Sequence, residues 1–186
     1  NCLNLPAEVA ELQHPVVYEA FELNPDTGGA GRARGGVGTR FRVRFLGAAD
    51  VSVESSRTRE GSPGVNGGAR SPAQTLFRVG EDGRRDVIGG FAADGSWHKC
   101  VFGALPFLAG EAYEVSATGG GGWGDPFRRP ADKVLDDVLN GYVSLGAALE
   151  LYGVVIDEEN MCVDEELTRR ERSSRGANVG ESNNEL

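Results

Sequence analysis

The residues best placed to do chemistry lie in two glycine-rich stretches. In TGGGGWGDPF, Thr118 to Phe127, Gly119, Gly121 and Gly124 satisfy the spacing GxGxxG, which in dinucleotide-binding folds brings backbone amides against a pyrophosphate. That chemistry needs the loop to open directly into a helix N-terminus, whereas here Asp125-Pro126 and then Pro130 delay any helix. The residues therefore read as a structural turn packed under Trp123 and Phe127, with a phosphate cradle as the rival. No GK[ST] phosphate loop occurs in the chain. In GGAGRARGG, Gly28 to Gly36, Arg32 and Arg34 stand among backbone amides that could form an anion-binding nest. The alternative is a wide turn between strands, its arginines paired with acidic neighbours or a partner subunit. The candidate substrate- or anion-binding residues are Arg32, Arg34, Gly28, Gly29, Gly31, Gly119, Gly120, Gly121, Gly122 and Asp125, and no residue is assigned a catalytic or metal-binding role.

Other reactive residue types form no constellation. His98 and Cys100 would share one side of a strand, which offers a metal two ligands without a third or fourth. His14, before Pro15, has no companion. Ser144 in GYVSLG is not a nucleophile elbow, because Tyr142 stands where a glycine is needed. Asp136 and Asp137 are neighbours on a helical stretch, point about 100° apart and read as solvated. Cys2, Cys100 and Cys162 are odd in number, widely spaced and free of CxxC, which fits a reducing cytosol better than a disulfide framework or structural zinc.

The elements that must position these loops are short. The chain has 186 residues, 39% hydrophobic and 25% charged, enough for one large domain or a domain with an appendage. Its formal charge of -9 argues against a nucleic-acid or anionic-membrane surface. Neither an apolar run of membrane-spanning length nor a signal-peptide pattern is present, so the expectation is a cytoplasmic protein. With 28 glycines, well above the usual share of about 7%, the chain should be rich in turns. VVYEAFE (16–22) reads as a strand, and TRFRVRFL (39–46) alternates strictly, Phe41, Val43 and Phe45 on one face and Arg40, Arg42 and Arg44 on the other. ADVSVES continues the alternation, so these two are expected to pair as neighbouring antiparallel strands joined at LGAAD. TLFRV, RDVIGGF, HKCVFG and EAYEVSAT follow as shorter strands. The fold class expected is mainly β with C-terminal helices (α+β): an antiparallel sandwich or barrel-like domain over 1–129, then a helix pair over 130–157. In that pair ADKVLDDVLN is stopped by Gly141, and LGAALELY is capped by Ser144 and closed by Gly153. VVID supplies one last short strand, and residues 158–186 read as an acidic, mobile tail unless it docks on a partner.

Three motifs in order carry a family resemblance. TGGAGRARGG (27–36), GSPGVNGGARSP (61–72) and ATGGGGWGDP (117–126) resemble the C-terminal signature of the hydantoinase B/oxoprolinase family. NLPAEVAE (4–11) is similar to that family's opening segment, and VLDDVLNGYVSLGAALELYGVVI (134–156) to its closing helices. The resemblance covers residues 1 to about 157, with two departures: the middle loop lacks the aromatic and basic residues the family places before its glycines, and Trp123 stands for a tyrosine. It implies a subunit of an ATP-dependent enzyme. In that family a hydantoinase A-type, ATP-binding partner phosphorylates a lactam, imide or enolised ketone, and the B component completes ring opening or, in acetone and acetophenone carboxylases, carboxylation. The resemblance further implies that this chain is the C-terminal piece of a B component, partnered by the N-terminal part. Cyclic amide hydrolysis is the leading expectation, with ketone carboxylation or a non-catalytic assembly module as alternatives. ATP with Mg or Mn, and Zn as a further candidate, would be held elsewhere in the complex. A start at Asn1 is compatible with nicking, deliberate shortening or a split subunit.

Overall fold

The computed structural model describes residues 5–181, so Cys2 and the first residue of the NLPAEVAE segment lie outside the described residues. The chain forms two compact units, each made of three segments that alternate along the sequence. The first comprises Asn1–Asn24, Gly38–Gly61 and Pro72–Thr118, and the second Pro25–Val37, Ser62–Ser71 and Gly119–Leu186. The segments 25–37, 62–71 and 119–129, which the sequence assigns to the β-rich part, thus belong with the C-terminal helices.

In the first unit a short helix, α1 (Ala7–Gln13), precedes β1 (Val16–Asn24) and β2 (Gly38–Phe45). β3 (Ala49–Glu54), β4 (Thr75–Val79), β5 (Arg85–Phe91), β6 (Trp97–His98), β7 (Val101–Phe107) and β8 (Ala112–Ser116) follow. Six strands form one antiparallel sheet in the order β1-β2-β8-β4-β5-β6, and β3 and β7 form a separate two-stranded ribbon. The sheet is open, with β1 and the two-residue β6 at its edges, so the barrel-like closure entertained from the sequence does not form. The expected β2–β3 pairing is also replaced: β2 is flanked by β1 and β8, and β3 pairs with β7. Charge and apolar patterning together explain this choice. On one face Arg40 reaches Glu22, Arg44 reaches Glu19, and Arg42 lies 2.5 Å from the fully buried Glu114 of β8. Arg85 of β5 completes the shell around Glu114, so one buried carboxylate is held by guanidiniums from both sides. On the other face Phe41 and Tyr113 meet edge-on at 6.0 Å, Phe45 lies 5.0 Å from Phe107, and Leu76, Cys100 and Val115 form the core.

In the second unit α2 (Ala131–Leu139) and α3 (Leu145–Tyr152) pack through Val134, Val143, Ala148, Tyr152 and Val154. The stop signals act as the sequence indicates: Ser144 Oγ accepts from the Ala147 amide at 3.1 Å, Gly141 has φ +71° and Gly153 closes α3 at φ +60°. Two short strands, β9 (Ile156–Asp157) and β10 (Cys162–Val163), pair antiparallel. Beyond them, where the sequence reads as a polar tail, α4 spans Glu165–Glu181. Its hold is polar rather than hydrophobic. The buried Thr168 accepts through Oγ1 from the Val155 amide at 3.0 Å, and Arg172 donates to the carbonyls of Tyr152 (3.0 Å) and Arg129 (2.8 Å). Among the described residues, no helix is long and apolar enough to cross a membrane.

Candidate functional site

The three glycine-rich loops are distant in sequence and meet in the second unit. Their backbones hydrogen-bond to one another as strands do. Gly29 donates to Gly120 O at 2.8 Å, Gly120 to Gly36 O at 2.9 Å and Gly119 to Thr27 O at 3.1 Å. The middle loop joins the ladder: Gly122 donates to Ala69 O at 2.9 Å, Ala69 to Ala30 O at 2.7 Å, and Gly124 to Val65 O at 2.9 Å. Trp123 and Ala33 exchange both bonds, at 2.9 and 3.0 Å.

Close approach, not turning, explains the glycine run. Gly121 and Gly122 do not have positive φ, yet a Cβ on Gly121 would overlap the Pro63 carbonyl oxygen and one on Gly122 that of Ala30. Any side chain would push the layers apart.

The stack places every candidate from the sequence. The amides of Gly29, Gly119, Gly120 and Gly122 already donate to carbonyls, as does that of Arg32, to Gly124 O at 3.1 Å. Gly28 and Gly31 are buried within the layers. Asp125 faces its own loop: its Oδ1 accepts from the Phe127 amide at 2.9 Å and caps a short 3-10 turn, Pro126–Arg128. No helix opens from the GxGxxG loop, since α2 begins only at Ala131. The Trp123 side chain, expected to cover the loop, is instead 48% exposed, and only its backbone is locked. Arg32 is exposed, while Arg34 turns inward.

Arg34 leads to the residue that sequence reading missed. Asp137, expected to be solvated, is buried and binds Arg34 Nη2 through Oδ1 at 3.2 Å and Arg129 Nη2 through Oδ2 at 2.8 Å. The remaining Nη atoms hold main chain, Arg34 Nη1 donating to Gly35 O at 2.6 Å and Arg129 Nη1 to Arg32 O at 3.1 Å. The Arg34 guanidinium also lies 5.0 Å from the centre of the Tyr142 ring. One carboxylate on α2 thereby fastens the first glycine loop and the chain leading into the helix. A signal was present: Asp137 lies three residues after Val134 and one before Val138, on the helix face that packs inward. Asp136, by contrast, is exposed and pairs with Lys133 at 3.0 Å.

Burial sets the electrostatics nearby. It pushes the Tyr152 hydroxyl up to about 12 and lowers Arg172 from its ordinary value. His98 and Cys100 do not combine: His98 is exposed beside Ser96, and Cys100 is buried in the first unit's core. Among the described residues, no three His, Cys, Asp or Glu side chains are grouped to hold a metal ion.

The sequence model of the family described as Hydantoinase B/oxoprolinase matches residues 1–126. The caprolactamase subunit beta of Pseudomonas jessenii is 37% identical over 169 residues, covering 90% of this chain and 28% of that protein. An uncharacterised protein of Methanocaldococcus jannaschii is 30% identical over 172 residues, covering 91% of this chain and again 28% of its relative. The crystal structure of the ATP-dependent caprolactamase from Pseudomonas jessenii superposes with a TM-score of 0.73 at 32% identity, covering 90% of this chain and 28% of that one. The nucleotide-free acetone carboxylase structure gives a TM-score of 0.75 at 24% identity over 94% of this chain and 27% of that one, a likeness of fold. The chain thus spans little more than a quarter of the length of these proteins. It is a member of the Hydantoinase B/oxoprolinase family.

Proposed function

We propose that the chain is the C-terminal part, or a separate small subunit, of an ATP-dependent enzyme complex that opens a cyclic amide, and that it shapes the active assembly without supplying the reacting groups. The observation that carries this reading is the glycine stack. Amides that would cradle a phosphate, those of Gly119, Gly120, Gly122 and Gly124, are bonded to the carbonyls of neighbouring loops, so the loops serve as a rigid wall. Likeness to the beta subunit of a caprolactamase supports the substrate class. In this reading the partners are the N-terminal part of a hydantoinase B-type component and an A-type, ATP-binding subunit in the cytoplasm. ATP, with Mg or Mn and with Zn as a further candidate, binds on those partners. Spending ATP on the amide oxygen makes a poor electrophile reactive, which lowers an otherwise high hydrolytic barrier.

Reconstitution tests this. The chain is purified alone and together with the co-expressed remaining B segment and A-type subunit, and ATP-dependent opening of caprolactam, hydantoin and 5-oxoproline is measured. Activity is expected only in the full assembly. Hydrolysis by the isolated chain, or undiminished hydrolysis by an assembly lacking it, would overturn the proposal. Turnover of acetone with bicarbonate in place of any cyclic amide would move the assignment to ketone carboxylation, the reading favoured by similarity to the Xanthobacter acetone carboxylase alpha subunit.

A further inference from the structure

On α4 three glutamates stand four residues before an arginine, the spacing and order that favour ion pairing along a helix. Glu166 pairs with Arg170, and Glu171 with Arg175. Glu165 and Arg169 stay apart, and neither makes an ion pair among the described residues. Position separates this couple from the other two: both of its members line a cavity of about 570 Å³ between the start of α2 and one face of α4. Asp132, in the first turn of α2, lines the same cavity and is likewise without an ion pair. Arg172 supplies the fourth charge. Its Nε and Nη2 are fixed on the Tyr152 and Arg129 carbonyls, at 3.0 and 2.8 Å, while Nη1 has no hydrogen bond among the described residues. Two carboxylates and two guanidiniums therefore line one space without closing on each other.

We propose that this cavity binds one zwitterionic ω-amino acid, its carboxylate on Arg169 and Arg172 and its ammonium on Glu165. The charges of the lining cancel, with Asp132 completing the balance, so the fitting ligand carries both signs and no net charge. A simple anion or cation would answer one sign and oppose the other. The span follows from the helix: Arg169 and Arg172 stand about 6 and 10 Å beyond Glu165 at 1.5 Å per residue. The two charges of an α-amino acid are too close together for that distance, whereas those of a six-carbon ω-amino acid reach it. The cavity has the size usual for a small-molecule site. Arg172, tied to main chain at two of its nitrogens, is held ready for the ligand rather than ordered by it. Opening a lactam ring leaves an ω-amino acid, so the ligand class coincides with the product of such a reaction. That identification rests on the proposed function; the binding itself does not.

Calorimetric titration of the 186-residue chain with 6-aminohexanoate, hexanoate, hexylamine and glycine is the test. Saturable one-to-one binding is expected for 6-aminohexanoate, with the other three weaker by about tenfold or more, since each lacks one charge or the span between the two. Arg169→Gln and Glu165→Gln should each weaken 6-aminohexanoate by about tenfold. Arg170→Gln is the control: it removes the same charge from the same helix at a residue that does not line the cavity, and should leave Kd within about twofold. Arg169 and Glu165 are exposed and unpaired, so their replacement should leave Tm within about 2 °C of the parent. No saturable binding of 6-aminohexanoate, equal binding of hexanoate, hexylamine or glycine, or an equal loss in Arg170→Gln overturns the proposal. The titration needs neither ATP nor a partner subunit. A failed titration therefore leaves cyclic-amide opening untouched, and a failed reconstitution leaves the site standing.

Discussion

At Gly121 the glycine loops allow no room for a methyl group, because the position a Cβ would take is filled by the Pro63 carbonyl oxygen, a backbone atom tied into the same stack. Gly121→Ala should therefore cost about 3 kcal/mol or more, a fall in Tm of at least roughly 6 °C. Gly36 is the control, since a Cβ there meets nothing within 4 Å and its φ is not positive. Gly36→Ala should stay within about 0.5 kcal/mol of the parent, and equal losses at the two positions would refute the close-approach account. A second residue-level prediction concerns Tyr152, whose hydroxyl burial raises to about 12. The folded state then keeps this phenol neutral while the unfolded chain ionises from about pH 10. Its stabilising effect is whole below pH 10 and is lost as pH rises toward 12, by roughly 2–3 kcal/mol. Tyr113, in the other unit, is raised to about 12 by burial as well. Denaturant titrations from pH 9 to 12 should show this alkaline loss, and Tyr152→Phe should lessen it.

Whole elements were legible where a periodic apolar signal decided them. The alternation of Phe41, Val43 and Phe45 with three arginines gave β2 within a residue of its observed ends, and Ser144 and Gly153 marked both ends of α3. Pairing partners were less legible, since the neighbours of β2 depend on Glu22, Glu19 and Glu114, and Glu114 lies far along the chain. The sharpest loss was α4. A helix that is polar all round offers no stripe to read, and its docking uses Thr168 and the Tyr152 and Arg129 backbone carbonyls, which leave no trace in sequence. Residues 165–181 are therefore a docked helix where the sequence reads as a mobile tail. Truncation after Asp164 should lower Tm by more than about 5 °C. Arg172→Ala, which deprives two carbonyls of a donor, should reproduce much of that fall at about 2 kcal/mol. Glu166→Ala, which removes only an exposed ion pair with Arg170 four residues on, should cost no more than about 0.5 kcal/mol. Indistinguishable melting of all three would mean that α4 contributes nothing through its docked face.

Across the whole molecule, the sequence places a boundary near residue 129 because glycine-rich β patterning gives way there to helical spacing. The chain is organised differently, since the three loops that break the strands are the material from which the second unit is assembled around Ala30 and the helix pair. Each glycine cluster was visible as a motif, but their mutual hydrogen bonds join positions from 39 (Ala30 to Ala69) to 92 (Thr27 to Gly119) residues apart, and no local pattern encodes such a meeting. The Arg34–Asp137 pair spans 103 positions and was hidden for the same reason. This weaving sets what a fragment can do. A chain ending at Arg129 keeps all three loops but loses Val134, Val143, Ala148, Tyr152 and Val154, so Ala30 and the glycine stack have nothing apolar to close upon. The complementary piece, 130–186, retains those residues without the loops they cover. Neither fragment should therefore give the dispersed amide NMR spectrum of a complete structure: 1–129 should show only signals of the β-rich first unit, with the loop glycines exchanging rapidly with solvent. Mixing the two should restore slow exchange at Gly120 and Gly122. Protection of those amides in 1–129 alone would show that the stack stands without the helices, and that the boundary near 129 is a true one.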